Sequence, residues 1–157
     1  NGKNGRLFTC IKFRTMIVNS ESDVAPATKN DYRITRSGKF LRHYRLDELP
    51  QFFNVLKGEM TIVGPRPHMI NENLIYEKLI DNYSFRNKVK PGISGLAQVT
   101  GYVGAINDLQ EMKDRIYFDI LYINNWSPAL DIKIMCRTLY LPVSFRKNFS
   151  GSIKMIE

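Results

Sequence analysis

The chain predicts an α+β fold, a single helix-rich domain with a few short strands and amphipathic helices, some suited to a membrane interface. A long periodic stretch follows Asp108 and places Met112, Ile116, Ile120 and Ile123 on one stripe. Ser127-Pro128 joins an N-cap residue to a proline in the first helical position. The β-branched runs, by contrast, are brief, as in Thr61-Ile62-Val63, and are broken by Pro and Gly. With 157 residues and 43% hydrophobic content the chain can bury one sizeable core, which argues against disorder.

In order along the chain, residues 7–16 alternate well enough for a strand, with Lys12 and Arg14 on one side. Residues 19–30 are polar, contain Pro26 and lack periodicity, which predicts a surface loop able to close over a site. A short extended piece over residues 32–35 leads into a basic helical turn over residues 37–44. Pro50 suits a first helical turn and sets a helix start near residues 46–48. The stripe Leu49, Phe52, Phe53, Leu56 should then lock that helix onto the core, and Lys57-Gly58 should end it. Residues 61–63 predict a strand running into the rigid turn Gly64-Pro65-Arg66-Pro67, and Pro67 can open a helix to about Ile80. Pro91-Gly92 and Gly95 punctuate a turn before a short strand at residues 96–99 and a glycine-containing loop at 101–107. Helices follow from Asp108 to about Asn124 and from Pro128 to about Leu141. The last helix carries basic and apolar sectors and is followed by Phe145-Arg146-Lys147, a pattern that suits ordinary packing or a membrane interface.

The formal charge of +8 and the pI near 9.6 call for an anionic partner: a nucleic acid, a phospholipid surface or a phosphorylated small molecule. Cys10 and Cys136 lie far apart, which fits a reducing compartment and offers no zinc framework. His43 and His68 are too few for a multi-histidine metal site and read as surface or structural residues. No apolar stretch approaches the roughly 18–20 residues that span a bilayer. The start at Asn1-Gly2-Lys3-Asn4-Gly5, without methionine, reads as that of a fragment.

Two adjacent carboxylates, Asp47 and Glu48, sit at the predicted helix start just after Arg33, Arg36, Lys39, Arg42 and Arg45. The partial positive charge of a helix N-terminus favours an ionised carboxylate by roughly 0.3–1 kcal/mol, leaving it able to attack phosphorus or hold a divalent cation. Plain helix capping explains the same residues. The basic run drifts round an ideal helix, so only a subset can converge on one ligand, with Arg42 and Arg45 nearest. Prolines on both sides fix Arg66 in extended geometry, where its guanidinium can fork onto phosphate or pair with a nearby acid. Asp119 projects beside the apolar stripe and needs a cation or strong donors, whether arginine or metal. Asp131 lies near the start of the last helix, where the helix dipole alone accounts for it.

Five stretches occur in order: Lys12-Phe13-Arg14-Thr15-Met16, Leu46-Asp47-Glu48-Leu49-Pro50-Gln51, Asn54-Val55-Leu56-Lys57-Gly58, Val63-Gly64-Pro65-Arg66-Pro67 and Lys90-Pro91-Gly92-Ile93-Ser94-Gly95-Leu96-Ala97-Gln98-Val99. Together they resemble the bacterial sugar transferase family, the monotopic polyprenyl-phosphate hexose-1-phosphate transferases of capsule, exopolysaccharide and O-antigen initiation. The resemblance runs from about residue 5 to residue 141. It implies transfer of a sugar phosphate from a nucleotide diphosphate sugar, usually a UDP-sugar, to undecaprenyl phosphate at the cytoplasmic face of the bacterial inner membrane. By that resemblance Asp47 is the nucleophile that forms a phosphosugar-aspartyl intermediate, and Glu48 is its acidic partner in metal binding or proton handling. Magnesium at Asp47 and Glu48 is the implied cofactor. Lys12, Thr15, Arg42, Arg66, Gln98, Asp119 and Asp131 match recurring family positions; Arg42 and Arg66 are assigned to phosphate or nucleotide, and Asp119 and Asp131 to pocket support. Gly101-Tyr102-Val103-Gly104-Ala105 resembles a Gly-Tyr-Arg-Gly-Glu stretch of the larger members, with Val103 and Ala105 departing from it. The membrane-dipping N-terminal helix of the family is not in this sequence, so the resemblance makes the chain a cytosolic catalytic part. No nucleic-acid partner is expected on this reading. The alternative, a non-enzymatic basic module for nucleic acid or anionic lipid, needs an uninterrupted basic stripe, and here the acids break it.

Overall fold

The computed structural model describes residues 1–18, 31–104 and 108–140. The elements run α1 (Arg36–Tyr44), α2 (Gln51–Leu56), β1 (Thr61–Val63), α3 (Ile70–Leu79), β2 (Gly92–Ser94), α4 (Leu96–Val99), α5 (Leu109–Asn124) and α6 (Pro128–Tyr140). The fold is α+β as expected. The predicted loop at 19–30, the end of the loop at 105–107 and the basic tail at 145–147 fall outside the described residues.

β1 pairs in parallel with β2, Thr61 opposite Gly92 and Val63 opposite Ser94. A Cβ on Gly92 would stand 2.1 Å from the Gly64 amide nitrogen, so only glycine allows the strands this approach. Val63, Leu96, Val99, Tyr122 and Ile134 bury one core that joins β1, α4, α5 and α6. Ile80, Tyr83, Met112 and Ile116 bury another beneath the end of α3. α5 serves both cores, giving Tyr122 to the first and Met112 and Ile116 to the second. Its start and that of α6 follow the sequence closely: the Asp108 side chain accepts the Glu111 N–H at 2.7 Å and Ser127 Oγ accepts the Leu130 N–H at 3.2 Å.

Four expectations are corrected. Residues 7–16 form an extended strap, with a single antiparallel bridge between Met16 and Ile34 in place of a ladder. Side chains and a turn satisfy its backbone instead: Asn54 Oδ1 accepts the Ile11 N–H at 3.0 Å, Asn54 Nδ2 donates to Thr9 O at 2.8 Å, and Phe13 N–H donates to Asp47 O at 3.0 Å. Residues 96–99 are the helix α4, because Gly95 turns the chain where a Cβ would meet Gly64 O at 2.3 Å, and the ladder cannot continue. Helix α3 begins at Ile70 and not at Pro67, since His68 is drawn into the interior and Glu72 caps the Met69 N–H at 3.0 Å.

The fourth correction concerns α2. Leu49, Phe52, Phe53 (61% exposed) and Leu56 (83% exposed) face outward, while Gln51 and Asn54 are fully buried. The helix is inverted because its inner face holds the strap through Asn54, whose amide also donates to Glu59 at 2.7 Å. Polar contacts, not the apolar stripe, fix the acid pair to the body of the fold.

Thr35 caps α1 by accepting the Gly38 N–H at 2.9 Å, and Arg45, at φ 58°, ends it in the left-handed region. The strap lies so close to α1 that a Cβ on Gly38 would stand 2.0 Å from Thr15 O. Ala favours a helix interior by roughly 1 kcal/mol over Gly. Here the backbone clash outweighs that gain, and Gly38→Ala should lose roughly 1–3 kcal/mol in a urea titration.

Candidate active site

The left-handed Arg45 swings the chain into a 3-10 turn, Leu46–Glu48, which presents both acids to the strap. Glu48 is buried (8% exposed), and Arg66 grips it with both prongs: Nη1 donates to Oε2 at 3.2 Å and Nη2 donates to Oε1. Lys12 Nζ adds a third donor to Oε1 at 3.3 Å. Burial pushes the carboxyl up, but Arg66, Lys12 and Arg45 outweigh it and hold Glu48 at about 2. Of the two uses open to the Arg66 fork, this geometry shows the carboxylate.

Asp47 differs from its neighbour in every respect. Its side chain is half-buried, and among the described residues it makes no ion pair. Burial and the negative charge of Glu48 raise its carboxyl above the ordinary 3.8, with Lys12 and Arg42 pulling the other way. The expected helix-dipole stabilisation is therefore overturned: a single 3-10 turn supplies too little aligned dipole to offset desolvation beside a second anion. Arg42 stands close by with its Nε donating to Thr15 Oγ1 at 2.7 Å and with no carboxylate partner among the described residues.

The structure thus gathers Lys12, Thr15, Arg42, Asp47, Glu48 and Arg66 in one place. Asp119 lies behind them, 2% exposed, in an ion pair with Arg86 at 2.9 Å. This answers its need for a cation with arginine. Arg86 Nη2 also donates to the Arg66 carbonyl, while Nη1 faces His68 Nδ1 and donates to Tyr83 OH at 3.4 Å. Arg115, also buried, donates to Gly104 O at 3.2 Å. The sequence reading missed Arg86, Tyr83 and Arg115; the one available signal was that a buried Asp119 required a partner somewhere.

Gln98 and Asp131 go elsewhere. Gln98 is fully buried and donates to Ile93 O at 3.2 Å, bracing the turn after β2. Asp131 accepts from Tyr122 OH at 2.8 Å and Trp126 Nε1 at 3.2 Å. It edges an apolar cleft of about 520 Å³ that Met60, Ile62, Val63 and Met135 also line.

Among the described residues no group of three His, Cys, Asp or Glu side chains could hold a metal ion. Glu48 already accepts three N–H groups, which leaves one lone pair on it and the carboxylate of Asp47, which has no ion-pair partner among the described residues. Magnesium is commonly held by one or two carboxylates together with substrate phosphates. The acid pair fits the ion on those terms, with phosphate oxygens completing the shell.

Residues 1–144 match the family described as bacterial sugar transferase. Over 140 residues, 88% of the chain, it is 52% identical to the UDP-glucose:undecaprenyl-phosphate glucose-1-phosphate transferase of Klebsiella pneumoniae. The enzyme of the same description from Xanthomonas campestris pv. campestris is 54% identical, again over 88% of the chain. The undecaprenyl-phosphate galactose phosphotransferase of Salmonella typhimurium (strain LT2) is 42% identical over 87% of the chain. The chain spans 30%, 29% and 30% of the length of these relatives, respectively.

Proposed function

Because the chain belongs to the bacterial sugar transferase family, we propose that it transfers hexose 1-phosphate from a UDP-hexose to undecaprenyl phosphate by way of Asp47. One observation carries the reading. Among the described residues Asp47 is the carboxylate without an ion-pair partner, in a site where Lys12, Arg42 and Arg66 supply positive charge and Glu48 is already neutralised.

In the first step an Asp47 carboxylate oxygen attacks the sugar-proximal phosphorus. A phosphorus–oxygen bond forms as the pyrophosphate bond breaks, and UMP leaves with the electron pair. In the second step an oxygen of the lipid phosphate attacks the same phosphorus and returns Asp47 as carboxylate. The upward shift makes Asp47 a more basic and better nucleophile, while Lys12 and Arg42 act in the other direction and favour its ionised form. Glu48, at about 2, carries no exchangeable proton at working pH, so its part is to seat Arg66 and Lys12 rather than to act as acid or base. When bound, magnesium held by the acid pair and by pyrophosphate oxygens would offset the charge developing on the leaving nucleotide.

The acceptor is a lipid, and the surface suits one. Among the described residues no helix is long and apolar enough to cross a membrane. The outward face of α2, with Phe52, Phe53 and Leu56, and Leu49 just before it, instead lies beside the acid turn, and basic α1 adjoins that turn. Such a face rests in the headgroup layer of the cytoplasmic leaflet and brings the turn to the acceptor phosphate. A fully buried Phe or Leu is worth about 1.5–3 kcal/mol, so Phe53→Ser with Leu56→Ser should weaken binding to anionic vesicles by about tenfold or more. Thermal unfolding in detergent-free buffer should hardly change, because neither side chain is in the core.

The test of the function is a panel of UDP-hexoses with magnesium, read by mass spectrometry of the intact chain and its peptides. A phosphohexosyl group on Asp47 that undecaprenyl phosphate discharges into lipid product supports the reading. Absence of adduct and product with every sugar overturns it, and release of free sugar phosphate would make the protein a hydrolase.

A further inference from the structure

Arg66 is held at one end by its own guanidinium and at the other by its backbone. Prolines on either side remove an N–H at Pro67 and hold Arg66 in extended geometry. What then decides where its side chain starts is the orientation of the peptide that carries its carbonyl. Arg86 Nη2 binds that carbonyl.

The grip of Arg86 is itself fixed on several sides. Asp119 Oδ2 stands 2.9 Å from the same nitrogen, and both residues are almost wholly buried. Nη1 faces His68 Nδ1 and Tyr83 OH, and Tyr83 OH in turn donates to Asn73 Oδ1 at 2.7 Å. Tyr83 OH also stands 2.7 Å from His68 Nδ1, so the three side chains form one buried contact around the Nη1 end of the guanidinium. A planar guanidinium spans these partners from two nitrogens at once; a lysine ammonium is a single point and cannot.

We propose that Arg86 is a positioning residue for the phosphoryl transfer: it sets the Arg66 backbone, and through it the fork that seats Glu48 next to Asp47. The link runs from Asp119 through Arg86 to Arg66 O, then through the Arg66 guanidinium to Glu48. This inference rests on the transferase reading for its effect on turnover, but not for its structural part. Asp119 acquires a defined task by it, which is to anchor Arg86 rather than to meet substrate.

Arg86→Lys is the first variant, and the pair Arg86→Met with Asp119→Leu is the second. Replacing both partners of a buried ion pair by apolar side chains of similar size is commonly tolerated, which protects against simple failure to fold. Two measurements are made on each. Nitrogen-15 NMR of the arginine side chains reads Arg66, whose Nε–H and Nη resonances should be sharp and distinct in the parent and should move or merge in the variants. Kinetics with UDP-hexose and undecaprenyl phosphate should show kcat down about a hundredfold with KM for the donor changed far less, as a displacement near 1 Å can cause. A cycle with Arg66→Lys should be non-additive, Arg86→Lys adding little once the fork is gone.

A folded variant with Arg66 resonances and kcat like those of the parent overturns the proposal. So does an activity loss that adds fully to that of Arg66→Lys and follows only the fraction unfolded. Should the parent chain transfer nothing, the transferase reading fails while the spectra still decide whether Arg86 governs Arg66.

Discussion

Asp47→Asn should abolish sugar-phosphate transfer while leaving the fold intact. The amide has nearly the same shape but no nucleophilic oxygen anion, and losing a residue that forms the covalent intermediate commonly lowers kcat by about 10⁴–10⁶. Stability should stay within about 0.5 kcal/mol of the parent, because the Asp47 side chain pairs with nothing described and its charge lies beside that of Glu48. The readouts are the phosphohexosyl adduct, lipid product and the midpoint of thermal unfolding. Retained adduct in this variant would move the nucleophile elsewhere. The acid limb of activity in the parent follows from the same residue: with its carboxyl raised above 3.8, transfer should decline on acidification at a higher pH than an ordinary aspartate would set.

Glu48→Gln should be the most damaging single change to stability. It leaves the Arg66 fork and Lys12 facing a neutral amide in a site only 8% exposed, and removing one partner of a buried pair costs about 3–5 kcal/mol. The pH dependence has a definite sign. Glu48 titrates at about 2 when folded against an ordinary 4.5, so its contribution is complete above about 4.5 and is lost as pH falls towards 2. The parent should therefore lose about 3 kcal/mol more than the Gln variant over that interval in acid denaturation. Parallel acid profiles for the two chains would contradict the ion pair.

Local chemistry was the most legible part of the sequence. Ser127 caps the helix it was expected to cap, and Asp108, expected as the first residue of its helix, caps that one, because a cap is a contact between residues three apart and needs no knowledge of the rest of the chain. The acid pair, Arg42 and Arg66 were found from order and spacing, Lys12 and Thr15 through the family resemblance, and the fold brings all six together. Where the reading failed, distant partners decided the outcome. Nothing within residues 7–16 says that their backbone groups will be taken by Asn54, and nothing in Leu49, Phe52, Phe53 and Leu56 says that the helix will turn its amides inward. Arg86 is one of 23 basic residues and has no local mark; only its 2.9 Å contact with Asp119, across the fold, reveals it.

Arg45 shows how the demands of folding and chemistry diverge. A non-glycine residue in the left-handed region costs about 1–2 kcal/mol, which Gly or Asn would largely recover. Its positive charge nonetheless helps keep Glu48 ionised. Random libraries at this codon sorted for heat resistance should therefore enrich Gly and Asn, whereas the same libraries sorted for glycolipid output should retain a cation. The corner after α1 is a place where evolution for durability and evolution for throughput would select different amino acids.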